Sequence, residues 1–126
     1  MPFSFKARIL SFRHAFSGII NFFQTEHNAL VHLVIAILAV GLGIWLSISQ
    51  VEWIIVIFLI GIVFIAELFN TAVEKLGDSI SREYNETIKK AKDFSAAAVF
   101  VAALTAATIG LIIFIPPLIK KLEAYF

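Results

Sequence analysis

Glu67, Asn70, Glu74 and Asp78 follow one another at offsets of 0, 3, 7 and 11 residues in a stretch without proline. At about 100° per residue of α-helix, these positions fall within an arc of about 80°, one face of a single helix. That face carries two carboxylates two turns apart, an amide between them and a third carboxylate one turn on. Such an acidic ladder can hold a hard divalent cation through oxygen ligands, or place a general base beside one. Glu26 and the Lys92–Asp93 pair stand at the borders of two long uncharged stretches. If those stretches are helices, Glu26, Glu67, Asn70, Glu74, Lys92 and Asp93 meet at one level.

The elements that must position this group are membrane spans. The chain has 126 residues, 60% hydrophobic and 15% charged, with a mean hydropathy of +0.95; a soluble domain carries about 25% charged residues. No Asp, Glu, Lys or Arg lies between Glu26 and Glu52, or between Asp93 and Lys120. Each interval exceeds the roughly 20 residues needed to cross a hydrocarbon core. Spans are expected at about 28–48, 53–78 and 93–115, the second as one long helix whose lower part leaves the hydrocarbon, and Pro116-Pro117 is expected to end the third. Ahead of them, at about 3–24, Phe5, Ile9, Phe12, Phe16, Ile19 and Phe23 recur at spacings of three and four. They form the apolar stripe of an amphipathic helix that suits the headgroup plane, packing on the protein's own core being the other reading. The expected fold is therefore all-α: a surface helix plus three transmembrane helices, one domain over 1–126.

Lys and Arg set the orientation. They crowd the N-terminal helix (Lys6, Arg8, Arg13) and the segment after the second span (Lys75, Arg82, Lys89, Lys90, Lys92), and are absent from the connection near Gln50. The N-terminus and the acidic ladder are thus expected on the cytoplasmic side, against the minor vote of Lys120 and Lys121. The cations in Met1–Gln24 leave no clean apolar core for a secretory signal, so the first span is expected to be retained.

A carboxylate at a helix end is often a dipole complement or an anchor, which is the plain reading for Glu26 and Asp93. Glu67 is different, because an anchor has no need to share a face with Asn70 and Glu74. His27 and His32, near a helix start, read first as hydrogen-bonded or interfacial residues. The Gly41-Leu42-Gly43 triplet reads as an aid to helix packing. A net charge of +1 argues against nucleic-acid binding. Absence of cysteine removes thiolate chemistry. No GxxxxGK[ST] loop is present, so a bound nucleotide would have to be held by side chains and metal.

The run AELFNTAVEKLGDSISREYNETIKKAKDFSAAAV, Ala66 to Val99, closely resembles the signature of the small prokaryotic diacylglycerol kinase and undecaprenol kinase family: E-x-x-N-[ST]-A-[IV]-E-x-x-x-D, then E-Y and A-K-D-x-x-x-A-A-V. The layout of surface helix and three spans is also similar. The resemblance implies a homotrimeric lipid kinase of the inner (cytoplasmic) membrane that uses ATP and Mg2+, with active sites between subunits. Carried over by position, Glu67 is the general base, Asn70 an orienting residue near it, and Glu26 and Glu74 the magnesium and ATP-phosphate group. Glu83, Lys92 and Asp93 are implied nucleotide contacts, with Arg8, Arg13 or His14 as the N-terminal candidate for another. Compared with the diacylglycerol kinase branch, an N-terminal arginine aligns near Ala7. A serine after A-K-D is replaced by Ala96, with Ser95 one position away. Glu26, Asn28 and His32 match an E-x-N-x-x-x-H pattern of the undecaprenol kinase branch and favour undecaprenol over diacylglycerol as substrate. Two other classes fit the composition: a small oligomeric transporter whose acidic ladder lines a path, and an accessory membrane subunit. The first expects carboxylates across the whole membrane depth, whereas these gather at one end.

Overall fold

The computed structural model describes residues 4–125. The expected start of the surface helix at Phe3 lies outside the described residues. Four helices make up the described chain: α1 (Phe5–Thr25), α2 (His27–Leu46), α3 (Gln50–Ile80) and α4 (Glu86–Glu123). The last three are each long and apolar enough to cross a membrane, so the all-helical, three-span reading holds.

Ser4 caps α1, its Oγ accepting from the Ala7 amide. The stripe residues Phe5, Ile9, Phe12, Phe16 and Ile19 are exposed, and only the last turn of α1 is packed. There Phe22 is buried, and the Phe23 ring meets Phe64 of α3 edge-on at 5.6 Å. Of the two readings of this helix, core packing therefore applies to its C-terminal end alone.

The joint between α2 and α3 is only three residues long. Ser47 takes a left-handed conformation (φ 54°, ψ 49°), a common way to stop a helix. Ser49 then opens α3 with a capping box: its Oγ accepts from the Glu52 amide, and the Glu52 carboxylate accepts from the Ser49 amide at 2.7 Å. Glu52, expected in the connection, is thus part of the first turn of α3. Beside this joint sits the main apolar cluster, Leu46, Ile48, Val56 and Ile113, ringed by Leu42, Trp53 and Leu118 among others.

Two boundaries of α4 differ from expectation. The polar stretch before the third span becomes helical at Glu86, because the Asn85 side chain caps the amides of Thr87 and Ile88. At the other end α4 does not stop at Pro116-Pro117 but runs on to Glu123. Two prolines remove two amide donors, yet their fixed φ is itself helical, and the following turn is tied down. Leu118 packs on the apolar cluster. The Lys121 ammonium donates to the Trp45 carbonyl and lies 4.8 Å from the centre of the Trp45 ring. It thereby satisfies a carbonyl left over at the end of α2. That contact gives Lys121 a structural task, separate from its count in the charge balance.

Within the glycine triplet only Gly43 is a close-approach site. A Cβ there would lie 2.9 Å from the Trp53 ring and 3.0 Å from Ile48 Cδ1, whereas one on Gly41 meets open space. Gly43→Val is therefore expected to lower stability by about 1–3 kcal/mol through overpacking. Gly41→Ala is expected to be neutral or to stabilise by up to about 1 kcal/mol. Thermal unfolding in detergent, followed by tryptophan fluorescence, would separate the two variants; equal midpoints would remove the packing role of Gly43.

Candidate active site

α3 brings Glu67, Asn70, Glu74 and Asp78 onto one face, and the helix carries them from interior to surface. Glu67 is 3% exposed and Asn70 is also buried, Glu74 is half-buried, and Asp78 is exposed. Each has a partner that fits its surroundings. The buried Glu67 carboxylate meets His32 of α2, with Oε1 and Nε2 3.0 Å apart. Ser95 of α4 donates from Oγ to Asn70 Oδ1 at 2.8 Å, and Asn70 Nδ2 donates to Glu74 Oε1 at 3.2 Å. Because Ser95 occupies the carbonyl side of the Asn70 amide, the N–H side is turned toward Glu74. Asn70 thus orients Glu74, and the side chain bonded to Glu67 is His32. Lys92 of α4 pairs with Asp78.

Glu26 is the residue between α1 and α2 and is bonded to Lys75 of α3 at 2.8 Å. The Lys75 ammonium, helped by the Thr25 hydroxyl, holds the Glu26 carboxyl below its ordinary value of 4.5 and keeps it ionised. The contact also fixes the loose α1 to the third helix. Gly77 allows the crossing at this end, since a Cβ there would lie 2.9 Å from both Ile88 Cγ2 and Lys92 Cε.

The remaining residues stand apart from this network. Asp93 is exposed and paired along its own helix with Lys89 at 2.6 Å. Glu83 is exposed in the connection between α3 and α4, where its backbone bonds the Ser81 side chain. Arg8, Arg13 and His14 are exposed on α1, and His27 is exposed at the start of α2. No group of three or more His, Asp or Glu close enough to hold a metal ion occurs among the described residues. Glu26, kept ionised by Lys75, and Glu74, oriented by Asn70, are hard oxygen donors of the kind that Mg2+ takes. Magnesium commonly takes one or two carboxylates and completes its shell with phosphate oxygens and water.

From His32, the partner of Glu67, an apolar cavity of about 690 Å³ runs between α2, α3 and α4 toward the α2–α3 joint. Its walls include Ala36, Val63, Ala103 and Gly110, and His32 is the polar residue among those lining it. Two of the site's polar partners, His32 and Ser95, come from helices other than α3. The sequence offered a signal for the first in the E-x-N-x-x-x-H pattern. For Ser95 it offered only a serine displaced by one position.

The prokaryotic diacylglycerol kinase family model matches residues 13–114, a span that holds every residue of this network. An undecaprenol kinase of Bacillus subtilis is 41% identical over 108 residues, which cover 86% of this chain and 88% of that protein. A diacylglycerol kinase of Synechocystis is 31% identical over 113 residues, covering 89% of this chain and 65% of the relative. The diacylglycerol kinase of Escherichia coli K12 is 36% identical over 73 residues, 58% of this chain and 60% of that protein. With a carboxylate face that runs from buried Glu67 to exposed Asp78 at one end of a three-span helical bundle, the chain belongs to the prokaryotic diacylglycerol kinase family and is a lipid kinase.

Proposed function

We propose that this kinase transfers the γ-phosphate of ATP to the hydroxyl of a membrane lipid alcohol, with undecaprenol favoured and Glu67 as general base. The observation that carries the reading is the position of Glu67. It is a buried carboxylate bonded to His32, the polar residue on the wall of an apolar cavity, and it shares a helix face with Glu74. A lipid can lay its tail along the cavity wall and bring its hydroxyl to the carboxylate. Glu67 then takes the hydroxyl proton as the oxygen attacks the γ-phosphorus, and ADP leaves.

Glu26 and Glu74 would hold Mg2+, which when bound neutralises charge on the phosphates. Asn70, locked by Ser95, keeps the Glu74 carboxylate turned to its task. Half-buried Lys92 and exposed Asp93 on the first turns of α4, with exposed Glu83 just before it, serve as nucleotide contacts; Arg8, Arg13 or His14 of α1 adds another. The working unit is a homotrimer in the inner membrane, its active sites facing the cytoplasm. The Bacillus subtilis relative and the shared pattern of Glu26, Asn28 and His32 support undecaprenol. The Synechocystis and Escherichia coli relatives support the second reading, a diacylglycerol kinase that makes phosphatidic acid.

Two measurements test this. Glu67→Gln keeps the shape and removes the base, so turnover is expected to fall by about 10²–10⁴-fold while the protein still folds; wild-type turnover in that variant would exclude Glu67 as base. Transfer of labelled phosphate from MgATP to undecaprenol and to diacylglycerol, each alone in mixed micelles, is expected to favour undecaprenol. Preference for diacylglycerol would reverse the order of the two readings, and transfer to neither would remove both.

A further inference from the structure

Among the described residues, His32 is the one hydrogen-bonding contact that ties α2 to the Glu67 carboxylate. Its side chain is 18% exposed and lies on the wall of the apolar cavity, in company with Ile35, Ala36 and Val63. A polar ring among such neighbours costs free energy unless its nitrogens are bonded, and Nε2 meets that need on Glu67 Oε1 at 3.0 Å. Among the described residues neither side chain makes another hydrogen bond with the protein. Glu67 is ionised to act as base, so Oε1 accepts and the ring Nε2–H donates.

The consequence concerns orientation. The last torsion of a glutamate turns in a broad, roughly two-fold well, so a carboxylate without a partner wanders. A donor from a neighbouring helix holds that torsion and occupies one lone pair of Oε1, which leaves Oε2 as the oxygen free of hydrogen bonds to the described residues. His32 therefore decides which oxygen of the base is presented and in which plane. Its ring also stands at the cavity wall, so it acts where the lipid hydroxyl would arrive.

We propose that His32 is a positioning residue for the phosphoryl-transfer step, holding the Glu67 carboxylate in its proton-accepting orientation through Nε2–H. This rests on the reading of Glu67 as base. A residue that merely filled space or stabilised the fold would be replaceable by any side chain of similar size, whereas a positioning residue needs a donor. Gln and Met have similar length, and only Gln carries an N–H.

The test compares His32→Gln, His32→Met and Glu67→Gln as full-length proteins in mixed micelles, with saturating MgATP and the better of the two lipid alcohols. His32→Met is expected to lower kcat by about 10- to 100-fold, the effect of a misplaced catalytic group, with KM for ATP and the thermal midpoint near wild type. His32→Gln is expected to recover kcat to within about tenfold of wild type, since a neutral amide donor restores the bond. Equal kcat in the Gln and Met variants, or wild-type kcat in His32→Met, overturns the proposal. If Glu67→Gln is inactive in the same series, that failure belongs to His32 alone. If Glu67→Gln turns over normally, the base reading falls and the His32 proposal falls with it.

Discussion

A carboxylate buried among apolar side chains is far from water and must find its compensation inside the protein. At Glu67 that compensation is a single imidazole from another helix. The pairing constrains much of what surrounds it: α2 and α3 must run side by side at that level, with His32 and Glu67 turned toward each other. Ser95 must then reach Asn70 from the third side. Three spans that share mainly apolar contacts have little else to fix their rotation, since in a hydrocarbon solvent one apolar face packs much like the next. Polar pairs between helices supply the directional contacts that an apolar interface lacks.

The charge pattern around the site follows the same logic outward. Going down α3 from Glu67 to Asp78, exposure rises and the partners change from a ring nitrogen through an amide to lysine ammonium groups. An imidazole and an amide serve the buried end, and lysines serve the wet end. Lys75 on Glu26 belongs to the wet end as well, and helps Phe22 and Phe23 anchor the last turn of the surface helix.

Much of this was legible in the sequence, for physical reasons that differ by element. The long α3 could be read because nothing breaks it, and because four polar residues fall on one face of it. The uncharged intervals fixed the three spans. The errors arose where local rules met tertiary contacts. Pro116-Pro117 looked like a stop, but proline forbids donation, not helical φ, and the turn beyond it is held by Leu118 and Lys121. The early start of α4 hung on one cap, Asn85, in a polar segment ahead of the expected span. Side-chain partners across helices were the least legible. That His32 faces Glu67, 35 positions away, depends on how two helices are rotated, and periodicity within one helix does not contain that information.

The three-residue joint between α2 and α3 gives the site an unexpected kind of dependence. Glu67 lies 18 positions beyond Ser49 and His32 lies 14 before Leu46, so the joint is about 20–27 Å from the contact it aligns, at a rise of about 1.5 Å per residue. With Ser47 fixed in a left-handed turn and Ser49 locked to Glu52, the two helices behave as the arms of a stiff hairpin, phased at the bend. One residue added to or removed from α3 between Glu52 and Glu67 would turn its lower half by about 100° and swing Glu67 off His32. The His32–Glu67 contact near one end of the spans is thus indexed from the opposite end, and the far bend works as the zero mark of a ruler.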